Sequence, residues 1–198
     1  MILNQQQSSA TLKVILAGPH NSGKTMFLWR WSSKSGEFKD GPTIGADFAC
    51  RDVIRGNKKF KIHLWDTAGQ EAYHSITAPY FRSCLAVLLM FDITDRTSFE
   101  CLDYWLKMIY ENAITSPIIY LVGNKVDIPN QIVTDLEIIE YARIHNLKPF
   151  KVSAKEDINI EQIHEDMVNS IISANFETTA QVISISRPKV ARNNGDCC

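Results

Sequence analysis

The sequence predicts an α/β fold of three layers, in which a mostly parallel sheet is covered by helices on both faces. Apolar runs of strand length alternate along the chain with segments of helical period, and this alternation is typical of parallel sheets. One run, "LAVLLMF" at 85–91, is apolar throughout, as expected for a strand buried on both faces. An antiparallel hairpin is also predicted, because the segments 47–54 and 59–66 flank the turn signal Gly56-Asn57.

The elements before the middle of the chain follow in a regular order. The first strand, "TLKVILAG" at 11–18, is short and apolar and ends in glycine, and a helix follows from Gly23. After the hairpin, "EAYHSITAPYFRSC" is mixed in character and is predicted to be partly helical. The segment 98–112 is predicted to be a helix, because apolar side chains recur at steps of three and four residues, at Phe99, Leu102, Leu106 and Ile109.

The second half completes the alternation of strands and helices. The strand "PIIYLVGN" at 117–124 precedes a helix that opens at Thr134, where Glu137 three residues later makes a capping-box pattern. The strand "KPFKVSA" at 148–154 precedes the last helix, "NIEQIHEDMVNSII". From about Glu177 the chain loses its helical period and gains small and polar residues. We therefore predict a flexible N-terminus at 1–10, one domain at 11–175 and a flexible tail at 176–198.

The composition excludes several classes of function. The 198 residues carry a formal net charge of −1, which gives no electrostatic basis for binding nucleic acid. The longest apolar runs are too short to span a bilayer, and the N-terminal segment does not have the pattern of a secretory signal. The five cysteines form no CxxC pair, so a reduced, cytosolic compartment is expected.

The stretch "GPHNSGKT" at 18–25 fits the pattern G-x-x-x-x-G-K-[ST] and lies between a predicted strand and a predicted helix. Glycine lets backbone N–H groups come close to phosphate oxygens, and the N-terminus of the following helix adds its positive dipole end. Lys24 would reach the outer phosphates, and the Thr25 hydroxyl would bind Mg²⁺. The alternative is a glycine-rich turn without a ligand, which the placement between strand and helix disfavours.

The segment "WDTAGQE" at 65–71 also follows a predicted strand. Asp66 can hold a water of Mg²⁺, Gly69 can offer a backbone N–H to a terminal phosphate, and the amide of Gln70 can orient an attacking water. Alone, Asp-x-x-Gly is a common turn. It becomes specific because the phosphate-binding pattern precedes it.

Two further segments, "GNKVD" at 123–127 and "SAK" at 153–155, follow predicted strands at the edge where open α/β sheets bind ligands. The carboxylate of Asp127 can accept hydrogen bonds from the N1–H and 2-amino groups of guanine, a donor pair that adenine lacks. A backbone N–H of the second segment could meet the guanine carbonyl oxygen. These segments together predict a guanine-nucleotide site.

In this order and at these spacings, the motifs resemble those of the Ras superfamily of small GTPases, over about residues 11–174. The segment "IGADF" at 44–48, the tryptophan of "WDTAGQE" and the terminal Cys197-Cys198 are most similar to the Rab family. The resemblance implies a P-loop NTPase fold with a six-stranded, mostly parallel sheet, one antiparallel edge strand and about five helices.

The resemblance also implies the site residues. Catalysis would depend on Gln70, Lys24 and Thr43, and Mg²⁺ would be held by Thr25, Thr43 and Asp66. GTP or GDP would be bound by Asn21, Ser22, Gly23, Lys24, Thr25, Met26, Phe38, Thr43, Gly69, Asn124, Lys125, Asp127, Ser153, Ala154 and Lys155. Effectors would recognise a switch surface formed by Ile44, Gly45, Ala46, Asp47, Phe48, Trp65 and Tyr80. For Trp65, ordinary core packing is an equally good interpretation.

As a Rab-like protein, the chain would be a GTP/GDP-cycling switch in vesicle and membrane trafficking. It would hydrolyse GTP slowly alone and faster with a GTPase-activating protein. Its other expected partners are an exchange factor, effectors, a GDP dissociation inhibitor and a prenylation escort, and the chain is expected to be a monomer. It would cycle from the cytoplasm onto an endomembrane through geranylgeranyl groups on Cys197 and Cys198.

Four positions depart from the family pattern. His20 stands where Rabs usually have a small residue, next to Asn21, where glycine is common. A larger side chain near the γ-phosphate would obstruct Gln70, so the alternative function is a GTP-bound module that hydrolyses slowly or not at all. The other interpretation is that the imidazole points to solvent. Gly36 replaces the aromatic residue that packs on guanine, and Phe38 is a possible substitute. Pro19 has no N–H to offer, though its slot need not face the phosphates.

Overall fold

The computed structural model describes residues 10–32, 46–67 and 78–185. The strands are β1 (Ala10–Ala17), β2 (Ala46–Arg55), β3 (Lys58–Thr67), β4 (Ala86–Asp92), β5 (Ile118–Asn124) and β6 (Lys148–Lys151). The α-helices of these ranges are α1 (Lys24–Trp31), α2 (Arg96–Glu100), α3 (Leu102–Asn112), α4 (Asp135–Ile144) and α5 (Ile160–Ile185), and a 3₁₀ helix covers Ala78–Ser83.

All six strands form one sheet in the order β2-β3-β1-β4-β5-β6. β2 is antiparallel to β3, and every other neighbouring pair is parallel. The predicted α/β fold and the antiparallel edge hairpin are therefore confirmed. Because β1 and β3 to β6 run in one direction, their C-terminal ends share one edge. The register places Leu16 beside Asp66 and Asp92 beside Asn124 at that edge.

The sheet separates two apolar layers. On β1, Val14 and Leu16 face one layer and Ile15 and Ala17 face the other, as the two-residue period of a strand requires. The first layer is completed by α1 and α5 through Phe27, Leu28, Trp31, Ile163, Met167 and Ile171. The second is completed by α3, α4 and the 3₁₀ helix through Phe81, Leu102, Trp105, Leu106, Ile109, Ile138 and Ala142. β4 lies between them with every residue buried, as its apolar sequence predicts.

Several helix boundaries are set by polar side chains. The predicted capping box of α4 is confirmed, because the Thr134 hydroxyl accepts from the Glu137 N–H and the Glu137 carboxylate accepts from the Thr134 N–H. The predicted helix 98–112 is instead two helices. α2 begins earlier because the Asp95 side chain accepts from the Thr97 N–H, and the chain turns at Cys101.

The last helix is longer than the sequence indicates. α5 continues to Ile185, past the predicted end of the domain at residue 175. Its final segment contains several β-branched residues, which favour helix only weakly. Extending an existing helix costs far less than nucleating one, so the strong first half carries the rest. Within the described ranges, no helix combines the length and the apolar character needed to cross a bilayer.

Candidate functional site

The loop between β1 and α1 is packed tightly against the neighbouring strands. Gly18 has φ +131°, and a Cβ at this position would lie 2.0 Å from the carbonyl oxygen of Met90. Gly23 has φ +90°, and a Cβ there would lie 2.2 Å from Nδ2 of Asn124. Both glycines of the phosphate-binding pattern are therefore required by the backbone and by the space around it. At these two positions the backbone lies directly against Met90 of β4 and Asn124 of β5.

Lys24 lies inside this loop. Its Nζ donates to the carbonyl oxygens of Gly18, at 2.8 Å, and Pro19, at 2.7 Å, and to the Ser22 hydroxyl at 3.3 Å. Burial lowers the pKa of Lys24 to about 8, and the nearby charge of Asp66 acts in the opposite direction. A buried ammonium group at the N-terminus of a helix is well placed to neutralise an anionic ligand such as a phosphate.

The residues expected to hold Mg²⁺ include two that lie in contact. The Thr25 hydroxyl, in the first turn of α1, donates to Oδ2 of Asp66 at 2.7 Å. Asp66 is fully buried near the C-terminal end of β3. A hydroxyl and a carboxylate are the hard oxygen ligands that Mg²⁺ prefers, so the donor set fits this ion. Thr43, the third expected ligand, lies outside the described residues.

Asn124 connects the phosphate-binding loop to the segment after β6. Its Nδ2 donates to the Ser22 carbonyl oxygen at 2.8 Å, and its Oδ1 accepts from the Ala154 N–H at 3.0 Å. The side chain is buried, so both amide atoms are hydrogen-bonded in an apolar setting. The loops after β1, β5 and β6 are thus held together by one side chain.

The remaining residues expected at guanine lie in the same region. The Ser153 hydroxyl donates to Oδ1 of Asp127 at 2.6 Å and accepts from the Glu156 N–H at 2.9 Å. This contact fixes the orientation of the Asp127 carboxylate. Lys125 adopts φ +70°, and its Nζ lies 2.7 Å from Oδ2 of Asp92 at the end of β4. Hydrogen bonds to Lys125 and Thr94 lower the pKa of Asp92 against the opposing effect of burial, which is the largest single influence.

Three of the residues that depart from the family pattern, Pro19, His20 and Asn21, lie in this loop, and the fourth, Gly36, lies outside the described residues. His20 is exposed, and Asn21 is exposed with φ +60°. Asparagine tolerates this left-handed conformation better than most residues, which explains how it replaces a glycine here. Pro19 contributes its carbonyl oxygen to Lys24 and to the Ser22 hydroxyl. Its missing N–H therefore costs the loop none of these bonds.

Three aromatic residues of the expected switch surface form a continuous cluster. Phe48 stacks on Trp65 with ring centroids 4.7 Å apart, and Trp65 contacts Tyr80 at 5.5 Å. Phe48 is 47% exposed, and Trp65 and Tyr80 are partly buried. Trp65 thus contacts the core on one side and the exposed Phe48 on the other. Asp47, which precedes Phe48 in the sequence, is exposed, and its carboxylate accepts from the Phe48 N–H.

The other predicted residues are placed as follows. Met26 packs partly against the core, so its helix N–H is the group it can offer to a phosphate. The backbone of Ala46 pairs with Thr67, and its side chain is not described. The described ranges do not include Phe38, Thr43, Ile44, Gly45, Gly69, Gln70, Cys197 and Cys198.

Two long-range contacts near the site were not predicted. Arg30 of α1 donates to the carbonyl oxygens of Ala154 and Lys155. Trp31 donates from Nε1 to Nδ1 of His164 in α5 at 3.1 Å. Each pair joins residues more than a hundred positions apart, and no local pattern in the sequence marks such a pair. The sequence does show an arginine and a tryptophan on the helix that also carries Lys24 and Thr25, and this placement was the available indication that they contact the site or the core.

A second group of possible metal ligands lies on α5, but its side chains are already bonded to other side chains. Glu161, His164 and Glu165 are close enough to hold a cation. Nδ1 of His164 accepts from Trp31, so a neutral imidazole carries its proton on Nε2 and offers no lone pair there. Glu161 pairs with Arg51 at 2.8 Å, and Glu165 pairs with Arg55. The group is therefore a tie between α5 and β2.

The loop between β1 and α1 surrounds the buried Lys24, and the Thr25 hydroxyl beside it bonds to the buried Asp66. At the C-terminal edge of a parallel sheet, this combination is typical of a P-loop nucleotide-binding protein. Comparison with known proteins identifies the class more closely. Residues 13–173 match the model of the Ras family. The chain is 36% identical over 160 residues to the GTP-binding protein ypt3 of Schizosaccharomyces pombe, which covers 80% of this chain and 75% of that protein.

Two further relatives extend over almost the whole chain. Ras-related protein Rab-10 of Caenorhabditis elegans is 31% identical over 191 residues, covering 94% of this chain and 95% of the relative. Ras-related protein Rab-11B of Dictyostelium discoideum is 34% identical over 203 residues, covering 100% and 91%. The chain therefore belongs to the Ras family of small GTPases and is of the Rab type.

Proposed function

We propose that this chain is a GTP/GDP-cycling switch that hydrolyses GTP with Mg²⁺ and recruits effectors in membrane trafficking. The observation that carries the proposal is the joining of four loops at one sheet edge. Thr25 bonds to Asp66, Asn124 bonds to both Ser22 and Ala154, and Ser153 bonds to Asp127. Phosphate-binding, metal-binding and base-binding groups are therefore supported as parts of one site.

The described residues suggest how the site acts on GTP. Lys24 would exchange its loop carbonyls for phosphate oxygens and neutralise the charge that develops on them. Thr25 and Asp66 would hold Mg²⁺, which would supply positive charge to neutralise the phosphates. Gln70 would orient the attacking water and Thr43 would close over the γ-phosphate, as the family resemblance implies. Intrinsic hydrolysis would be slow, and a GTPase-activating protein would supply further charge stabilisation.

The aromatic cluster supports an effector surface. A partly exposed apolar group of Phe48, Trp65 and Tyr80 is the kind of patch that binds protein partners. It lies on and beside the hairpin that joins the two segments expected to change with the nucleotide. Two geranylgeranyl groups on Cys197 and Cys198 would provide the stable membrane anchor that a single chain does not. An exchange factor, a GDP dissociation inhibitor and a prenylation escort complete the proposed cycle.

A second function is favoured by His20. The imidazole is exposed at the apex of the phosphate-binding loop, beside Asn21 in its left-handed conformation. In this alternative His20 obstructs Gln70 or an arginine from the partner. The protein would then persist in its GTP-bound form and act as a binding module.

Single-turnover hydrolysis distinguishes the two functions. Parent protein, His20→Ser and Gln70→Leu are loaded with GTP labelled in the γ-phosphate, and phosphate release is followed with Mg²⁺ in excess. The switch predicts slow release by the parent, a rate within about twofold for His20→Ser, and a rate lower by tenfold or more for Gln70→Leu. Acceleration of tenfold or more in His20→Ser would instead establish the GTP-bound module. A parent that releases no phosphate and is not improved by His20→Ser would contradict both.

A further inference from the structure

Arg30 forms a forked contact with the segment that follows β6. Its Nε donates to the Ala154 carbonyl oxygen at 3.2 Å, and its Nη2 donates to the Lys155 carbonyl oxygen at 2.5 Å. The guanidinium also lies over the ring of the neighbouring Trp29, with its carbon 5.2 Å from the centroid. The planar, charged fork suits two successive carbonyl oxygens, and hydrogen bonds from a charged donor are stronger than neutral ones.

The peptide groups of Ala154 are thereby held from two sides. The Ala154 N–H donates to Asn124, whose Nδ2 also donates to the phosphate-binding loop at Ser22. The Ala154 carbonyl oxygen accepts from Arg30, on the helix that begins with Lys24. One helix therefore positions the phosphate-binding residues at its start and supports the base-binding segment from its last turn.

The fork is not needed to attach α1 to the domain. Phe27, Leu28 and Trp31 on the same helix are all buried in the core beneath it. Burial of such side chains stabilises the packing of a helix far more than hydrogen bonds at the protein surface do. Loss of the Arg30 contacts should therefore loosen the Ala154–Lys155 backbone while leaving the helix in place.

We propose that Arg30 is a positioning residue that determines specificity for guanine. It does so by holding the Ala154–Lys155 backbone in the position from which this backbone contacts the base. This inference rests on the proposed function, because it assumes that guanine binds between Asp127 and this segment. Arg30 touches neither base nor phosphate in the proposed arrangement. It acts through the two carbonyl groups. The Ala154 carbonyl shares a peptide plane with the Lys155 N–H, so the fork fixes the direction of that N–H toward the guanine O6.

The test compares GDP with an analogue that lacks the atom concerned. Parent, Arg30→Met and Arg30→Lys are compared for their Kd toward GDP, ADP and 2-aminopurine riboside diphosphate, which keeps the 2-amino group but lacks O6 and the N1–H. The lost N1–H contact with Asp127 affects every variant alike. The matched control is Arg143→Met, because Arg143 is an exposed arginine whose partner, Glu140, is on its own helix. Tm is measured for every variant without nucleotide.

We expect Arg30→Met to raise the Kd for GDP about tenfold and the Kd for the analogue less than threefold. Arg30→Lys should lie between Arg30→Met and the parent, since an ammonium cannot reproduce the fork. Arg143→Met should match the parent for both ligands.

Two results would overturn the inference while leaving the guanine site intact. One is an unchanged Kd for GDP in Arg30→Met. The other is an equal rise for GDP and the analogue together with a lower Tm, which is the signature of a purely structural role. A parent that does not bind GDP more tightly than ADP would instead refute the proposed function and the inference with it.

Discussion

At the scale of single residues, the burial of Lys24 carries an electrostatic cost. Its pKa is lowered to about 8 from an ordinary value of 10.5, first because of burial. Since the folded state holds its proton less tightly than the unfolded state does, the cost is complete below about pH 8 and disappears above about pH 10.5. The difference amounts to about 3 kcal/mol. A bound phosphate would compensate it.

We therefore predict that the nucleotide-free protein becomes more stable as the pH rises from 8 to 10.5, relative to Lys24→Met. Urea unfolding of both proteins at several pH values measures the free energy of unfolding, and the difference between them cancels the titration of other groups. With GDP and Mg²⁺ in excess, the parent should lose this pH dependence. Parallel pH profiles for the nucleotide-free parent and Lys24→Met would contradict the buried, destabilised ammonium.

Lys24, Thr25, Asp66, Asn124 and Asp127 could be selected from the sequence as candidate site residues, because each belongs to a short motif at or after the C-terminal end of a strand. Their contacts with one another could be predicted only in outline, from the rule that parallel strands end at a common edge. The fork of Arg30 could not be predicted, because its partners are backbone carbonyls that any sequence provides. The left-handed conformation of Asn21 was likewise not predicted, although asparagine is among the residues that tolerate it.

At the scale of elements, α5 is tied to α1 and to β2 by a group of charged and aromatic residues. His164 is buried and accepts from Trp31, and the Arg51 guanidinium lies over the Trp31 ring. Burial lowers the pKa of His164. The charges that face it are Glu161 and Glu165 of α5, which raise the pKa, and Arg51 and Arg55 of β2, which lower it. This tie joins the end of α1 to the last helix.

The pKa of His164 in the folded state lies below its unfolded value of 6.5. The stability that the neutral, buried imidazole contributes to the fold is therefore fully present above pH 6.5 and is lost as the pH falls through the lowered pKa. Protonation would also place an N–H on Nδ1, where Trp31 donates. We predict that stability falls by up to about 1.4 kcal/mol per pH unit in this window, and that the double variant Trp31→Phe, His164→Phe loses this component. The check is urea unfolding between pH 7 and 5. Equal losses in parent and double variant would exclude His164 as the source.

The elements themselves were largely predictable, and the errors have local causes. Apolar period and turn signals gave the six strands and the capping box of α4. The split at Cys101 was missed because the apolar period continues unbroken through it. The length of α5 was underestimated because a weakly helical sequence can be carried by a strong helix before it.

At the scale of the whole molecule, the two apolar layers hold the sheet rigid while one edge carries the polar loops. Asn124 and the pair of Thr25 and Asp66 join loops that the sequence separates widely. A ligand that spans these loops binds the folded state alone and so should stabilise the entire fold. We propose that this ligand is a guanine nucleotide, recognised through the carboxylate of Asp127.

The most direct test is the affinity of the parent and of Asp127→Asn for GDP and xanthosine diphosphate, with ADP as a reference. The carboxylate accepts from the 2-amino group of guanine, whereas an asparagine amide can donate to the 2-oxo group of xanthine. We predict that the parent prefers GDP by roughly 10³-fold or more and that Asp127→Asn reverses this preference. If Asp127→Asn keeps the parent's affinity for GDP and gains none for xanthosine diphosphate, Asp127 does not recognise the base and the guanine site is wrongly assigned.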